Sequence, residues 1–222
     1  MIIILFWILG TLALATGAVI FGKKYGAGVL IGIYTALIVM AQIFAAKLVV
    51  FGQWVVPAAV IVYGVSFLIT DALCEFYSKE EAKKAIFSGF VGSILLVIGI
   101  QIVIAWQPAS FWGGQEALIV TLGFTWRIVT ASLIAYLFSQ NWDVFAFHWI
   151  KEKTNGKHLW LRNCVSTFSS QFLDTVLFIT IAFAGTMPKE MLIGMIIGQY
   201  IVKLIIAGFD TPFLYVMRYF NK

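Results

Sequence analysis

Residues 87–106 read FSGFVGSILLVIGIQIVIAW, twenty positions with no charge and no every-other-residue polarity. Wound as an α-helix, about twenty apolar residues rise roughly 30 Å, the thickness of bilayer hydrocarbon. A barrel strand would need about ten residues of alternating polarity. The stretch therefore predicts a transmembrane helix, and windows like it recur along almost the whole chain. Of the 222 residues 62% are hydrophobic and 11% charged, whereas soluble domains carry about a quarter charged residues. The expected fold class is all-α, a polytopic integral membrane protein.

Seven spans are predicted, over 2–22, 27–51, 55–77, 85–106, 117–138, 163–185 and 189–209. Short cytoplasmic loops are enriched in Lys and Arg. Lys23, Lys24, Lys79, Lys83, Lys84, Lys151, Lys153, Lys157, Arg162, Arg218 and Lys222 all fall on one side of this arrangement, and only Lys189 on the other. That bias predicts an external N-terminus and a cytoplasmic C-terminus, and it makes the net charge of +5 a topology signal rather than a nucleic-acid footprint. Tryptophans favour the headgroup level. Trp7, Trp54, Trp106 and Trp112 fall near predicted external ends and Trp142, Trp149 and Trp160 near cytoplasmic ends, leaving Trp126 alone in mid-span. The first span lacks the basic leader of a secretory signal and is read as a helix. Residues 139–163 form the longest predicted extramembrane segment, its first half a short amphipathic helix at the cytoplasmic interface with Asp143 as its cap.

Several chemistries are disfavoured. His148 and His158 fall in that basic loop and Cys74 and Cys164 have no histidine nearby, so no haem or metal site is expected. A Gly-rich phosphate loop is missing, so no cofactor or nucleotide hydrolysis is expected. Asp71 with Asp174 is the one pairing that would suit an intramembrane aspartyl protease, but their predicted depths differ and Arg127 or Lys203 is expected to neutralise Asp174. No catalytic residues are assigned.

Charged residues inside the hydrocarbon cost about 3 kcal/mol on insertion scales and are kept where they pair or face a wet cavity. Lys47, Asp71, Glu75, Arg127, Asp174, Lys203 and Asp210 are the candidates. Arg127 and Asp174 are placed near the bilayer centre, Lys203 somewhat toward the cytoplasm, Asp71 about 9 Å inside the end of its span, and Glu75 at the boundary. At 100° per residue Thr167, Gln171, Asp174, Thr175 and Phe178 share one stripe, and Gln199, Lys203 and Asp210 another. Arg127 with Asp174 is either a structural pair or part of a binding site. Lys203 and Asp210 lie two turns apart and could pair within their helix. Lys47 and Glu75 could equally snorkel to the interface.

Four motifs in order, FLITDALCEFYSKEEAKKAIFSGF (67–90), RIVTASLIAY (127–136), NCVSTFSSQFLDTVLFITIAF (163–183) and QYIVKLIIAGFDTPFLYV (199–216), resemble the queuosine-precursor transporter family, once labelled a vitamin-uptake family. The resemblance runs from about residue 27 to 220. It implies a six-helix transporter domain over 27–222, preceded by an additional N-terminal transmembrane helix over 1–26 that has no counterpart in the family. It further implies import of 7-deazaguanine precursors of modified tRNA bases, chiefly 7-cyano-7-deazaguanine and 7-aminomethyl-7-deazaguanine, across a prokaryotic cell membrane. The family's acidic pair falls on Asp71 and Glu75, its Arg on Arg127, its Ser/Thr-rich segment and Asp on Ser166, Thr167 and Asp174, and its late Lys on Lys203. Lys47 fits a Lys of the family's first helix. Ser78 departs from the pattern, standing where a Gly commonly follows the aromatic.

A deazaguanine offers adjacent ring N–H and amine donors to a carboxylate, needs a donor for its carbonyl, and can stack on an aromatic ring. Asp174 as acceptor, Gln171, Arg127 or Lys203 as donors, Thr175 beside them and Phe178 or Trp126 as platform make the expected site, with Asp71 and Glu75 along the cytoplasmic half of the path. The expected partners are a small-molecule base and the lipid bilayer, with a second copy of the chain left open and no nucleic acid. The alternative is a substrate-binding membrane subunit that works with a separate ATPase complex.

Overall fold

The computed structural model describes residues 2–45, 47–51, 54–123, 126–185 and 188–220; the described side chains exclude those of 2–5, 23, 48, 51, 54, 55, 126–129, 191, 207 and 210. The helices are α1 (Ile2–Gly22), α2 (Ala27–Phe44), α3 (Ala59–Phe76), α4 (Lys79–Ala105), α5 (Gln115–Leu122), α6 (Trp126–Lys153), α7 (Leu159–Phe183) and α8 (Lys189–Phe220). Among the described residues α2, α3, α4, α7 and the Leu192–Phe220 part of α8 are long and apolar enough to cross a membrane. The architecture is that of an all-α, multi-pass membrane protein.

α3 is the axis of the bundle. Every residue from Gly64 to Cys74 is buried, because α1, α2, α4, α6 and α8 all pack against this one helix. Small residues set the closest approaches, as van der Waals packing requires where lipid removes the hydrophobic drive between helices. A Cβ on Gly64 would lie 2.7 Å from the Ile206 side chain of α8, and one on Gly89 of α4 would lie 2.5 Å from the Tyr136 hydroxyl and 3.0 Å from the Tyr34 ring. Tyr136 is itself buried and donates to the Ile86 carbonyl at 2.7 Å. Gly89→Ala should therefore cost about 1–3 kcal/mol by overpacking, read as a lowered unfolding midpoint in detergent; an unchanged midpoint would mean that Tyr136 swings away freely.

α7 is built inside out. Its buried positions include Asn163, Ser166, Thr167, Ser170, Gln171, Asp174 and Thr175, while Trp160, Val165 and Phe172 are exposed. A helix that buries its polar stripe and turns apolar side chains outward is suited to lipid surroundings.

Three expectations about the elements are corrected. The second and third spans do not run to 51 and from 55: α2 stops at Phe44, and Leu48–Phe51 and Trp54–Pro57 form an antiparallel hairpin in register Val49↔Val56 and Val50↔Val55. β-branched pairs flanking a two-residue connection favour a hairpin, and hydropathy alone cannot tell such strands from the end of an apolar helix. The fifth span is not 117–138. α5 ends at Leu122, and α6 then runs unbroken from Trp126 to Lys153 through the segment expected to lie on the membrane surface. Asp143 is accordingly not a cap: it is wholly buried in mid-helix. α8 also continues past Asp210 and Pro212 to Phe220. Ser78, finally, is the N-cap of α4 and accepts from the Glu81 N–H at 3.2 Å. Ser and Gly are both accepted at that position, which accounts for the exchange.

Candidate functional site

The polar residues of α3, α6, α7 and α8 line up as a column with three levels. The first is a pocket bounded by Gln42 of α2, Tyr63 of α3, Ser132 of α6, Asp174 and Phe178 of α7, and Gln199 and Lys203 of α8, with an empty volume of about 670 Å³ including its open mouth. At its base Lys203 forms an ion pair with Asp174, both buried. The other Asp174 oxygen accepts from the Tyr63 hydroxyl at 2.8 Å and from Ser139 at 3.1 Å. The Lys203 ammonium also lies 5.3 Å from the centroid of the Tyr63 ring. Two opposite charges and a phenol are thus fixed against one another at the edge of an apolar-walled cavity, an arrangement that can offer acceptors and donors side by side to a flat polar ligand.

The second level lies two turns further along α3. Asp71 is buried and accepts from Thr167 at 3.3 Å. Asp143 accepts from Ser170 at 2.9 Å and from Thr70 at 3.4 Å. The third level is the C-terminal end of α3. Glu75 pairs with Arg162, with Lys151 at 3.4 Å and with Arg218 at 3.7 Å, joining α3 to α6, α7 and α8. Lys151 also donates to the Cys74 carbonyl at 3.1 Å, satisfying an acceptor that a helix C-terminus leaves open. Arg162 donates to the Gly156 carbonyl at 2.9 Å and lies 5.4 Å from the centroid of the Phe147 ring.

Asp174, Lys203 and Phe178 therefore come together around the pocket, and Asp71 and Glu75 line up beneath it. Gln171 is buried between these levels but does not line the pocket, and Thr175 donates to the Gln171 carbonyl of its own helix at 2.8 Å. Arg127 is the second residue of α6 rather than a mid-span position; its side chain, like that of Asp210, lies outside the described residues. Lys203 takes Asp174 as its partner, one of the two cations expected to neutralise that carboxylate. Lys47 is exposed next to the hairpin. Tyr63, Gln42, Ser132 and Ser139 were missed by the sequence reading, although Tyr63, Ser66 and Thr70 form an i, i+3, i+7 polar ridge.

A family model described as "Putative vitamin uptake transporter" matches residues 57–217, a span that takes in all three levels apart from Gln42. The chain belongs to the queuosine precursor transporter family. It is 35% identical over 159 residues to a Bacillus subtilis (strain 168) protein named "Probable queuosine precursor transporter", covering 71% of this chain and 69% of that one. It is 30% identical over 117 residues to the Escherichia coli (strain K12) "Queuosine precursor transporter", covering 53% of this chain and 50% of that one. No solved structure matches the chain. These relatives are named as transporters rather than enzymes.

Proposed function

We propose that this family member imports 7-deazaguanine precursors of modified tRNA bases, 7-cyano-7-deazaguanine and 7-aminomethyl-7-deazaguanine, across the cytoplasmic membrane of a prokaryote by alternating access around the Asp174–Lys203 pocket. In this reading α1–α4 and α6–α8 are the seven spans, with the N-terminus outside, and the Glu75 cluster closes the cytoplasmic end. The observation that carries it is the buried Asp174–Lys203 pair opening onto a cavity with Phe178 on its wall. The carboxylate accepts the adjacent ring N–H and amine of the base. Lys203 or the Gln199 amide supplies the carbonyl's donor, and Phe178 supplies a flat face. Asp71 and Thr167 line the route onward from the pocket.

Binding of 7-cyano-7-deazaguanine should raise the unfolding temperature of the purified protein, whereas a folded protein that no deazaguanine stabilises would sink the assignment. Phe178→Ala should weaken binding by the stacking contribution of about 1–3 kcal/mol, roughly 5- to 150-fold in Kd. Phe178→Trp should stay near wild type. Equal affinity in Phe178→Ala would move the base off this wall.

A further inference from the structure

We propose that Asp143 is the proton-binding site that couples transport to a proton gradient. The inference rests on the transporter reading above and concerns a residue that plays no part in the pocket. The carboxylates of the column are paired differently. Asp174 has Lys203, and Glu75 has Arg162, Lys151 and Arg218. Asp143 is wholly buried, and among the described residues no cation pairs with it. Its hydrogen-bond partners are the hydroxyls of Ser170 and Thr70, and the Asp71 carboxyl lies within hydrogen-bond reach.

An ionised carboxylate in such a place bears an uncompensated burial cost. Around Asp143 lie Thr70, Asp71 and Cys74 of α3, the Tyr34 phenol of α2, and the hydroxyls of Ser166 and Ser170 of α7. On α4 the Lys79 ammonium is engaged over the Phe145 ring at 5.7 Å. The cations of this end, Lys151 and Arg162, are held by Glu75. A proton is therefore the species that can neutralise Asp143 while the column is closed. It enters from the external side when the pocket is open outward. It leaves to cytoplasmic water once the Glu75 cluster parts and solvent reaches Asp143.

The test uses the full chain in proteoliposomes, with 7-cyano-7-deazaguanine as probe. An outside-acid gradient should drive accumulation above the equilibrium level, up to about tenfold per pH unit for one proton per base. Asp143→Asn should fill only to equilibrium while keeping binding and counterflow. Difference infrared spectra of the wild type should show the carbonyl band of a protonated carboxylic acid, absent in Asp143→Asn. The proposal is overturned if wild-type accumulation ignores the pH gradient, if Asp143→Asn still accumulates the base, or if a folded Asp143→Asn loses binding as well. If Asp143→Asn does not fold, the gradient response and infrared band of the wild type decide alone. If the base neither binds nor enters, the substrate reading fails, and the infrared band with its loss in Asp143→Asn still decides whether Asp143 holds a proton.

Discussion

Glu75→Ala is expected to lower stability by about 3–5 kcal/mol, the cost of leaving a buried cation without its anion. Arg162 is the reason: its side chain is 1% exposed, and the Glu75 carboxylate is its ion-pair partner. Lys151 and Arg218 are 30% and 38% exposed, so water compensates them and their share of the loss is small. Glu75→Gln should lose nearly as much, because the amide keeps the shape but not the charge. Arg162→Leu combined with Glu75→Ala should lose markedly less than the sum of the single changes, since removing both partners strands neither. Unfolding midpoints of the four proteins in detergent give the coupling energy directly. Additive effects would mean that the cluster is a set of independent surface pairs.

Asp174→Asn is expected to act on binding more than any other single change in the pocket. The substitution turns an oxygen that accepts into an amide that donates, opposite a base edge that itself donates. It also leaves the Lys203 ammonium buried without its anion. Hydrogen bonds to a charged partner contribute about 1.5–3 kcal/mol each, so two lost contacts correspond to at least about a hundredfold rise in Kd. Lys203→Met should be milder, because Tyr63 and Ser139 still donate to Asp174 and the carboxyl can take up a proton. Titration of each folded variant with 7-cyano-7-deazaguanine checks the ordering. Wild-type affinity in Asp174→Asn would make the ion pair a helix-to-helix tie with no share in recognition.

The helices were legible because lipid imposes a length and a polarity that a hydropathy window can see. FSGFVGSILLVIGIQIVIAW lies within α4 up to its C-cap Trp106, and the stripe Thr167, Gln171, Asp174 is buried on α7. What failed was the reading of 117–163. Ser139, Gln140 and Asp143 lowered the hydropathy of α6 enough to suggest a surface segment, yet they are buried because α7 turns an equally polar stripe toward them. A polar helix face facing another polar face is invisible to a scale that scores each helix alone. The helical spacing of Ala131, Ala135, Ser139 and Asp143 was the available signal. With α6 beginning at Trp126, that tryptophan is no longer a mid-span exception but opens a helix. The hairpin at 48–57 was hidden for the opposite reason, since its valines score as well in a membrane helix as in a strand. Ion-pair partners were half legible. Balance between cations and anions announced that pairing would occur, but the choice of Lys203 for Asp174 depends on how α7 and α8 are rotated against each other.

The most direct measurement is uptake of radiolabelled 7-cyano-7-deazaguanine by proteoliposomes containing the purified chain, wild type beside Asp174→Asn. Saturable uptake by the wild type, competed by 7-aminomethyl-7-deazaguanine and lost in a folded Asp174→Asn, is the predicted result. Uptake no greater than in protein-free liposomes, from a wild-type protein shown to be folded, would contradict the account.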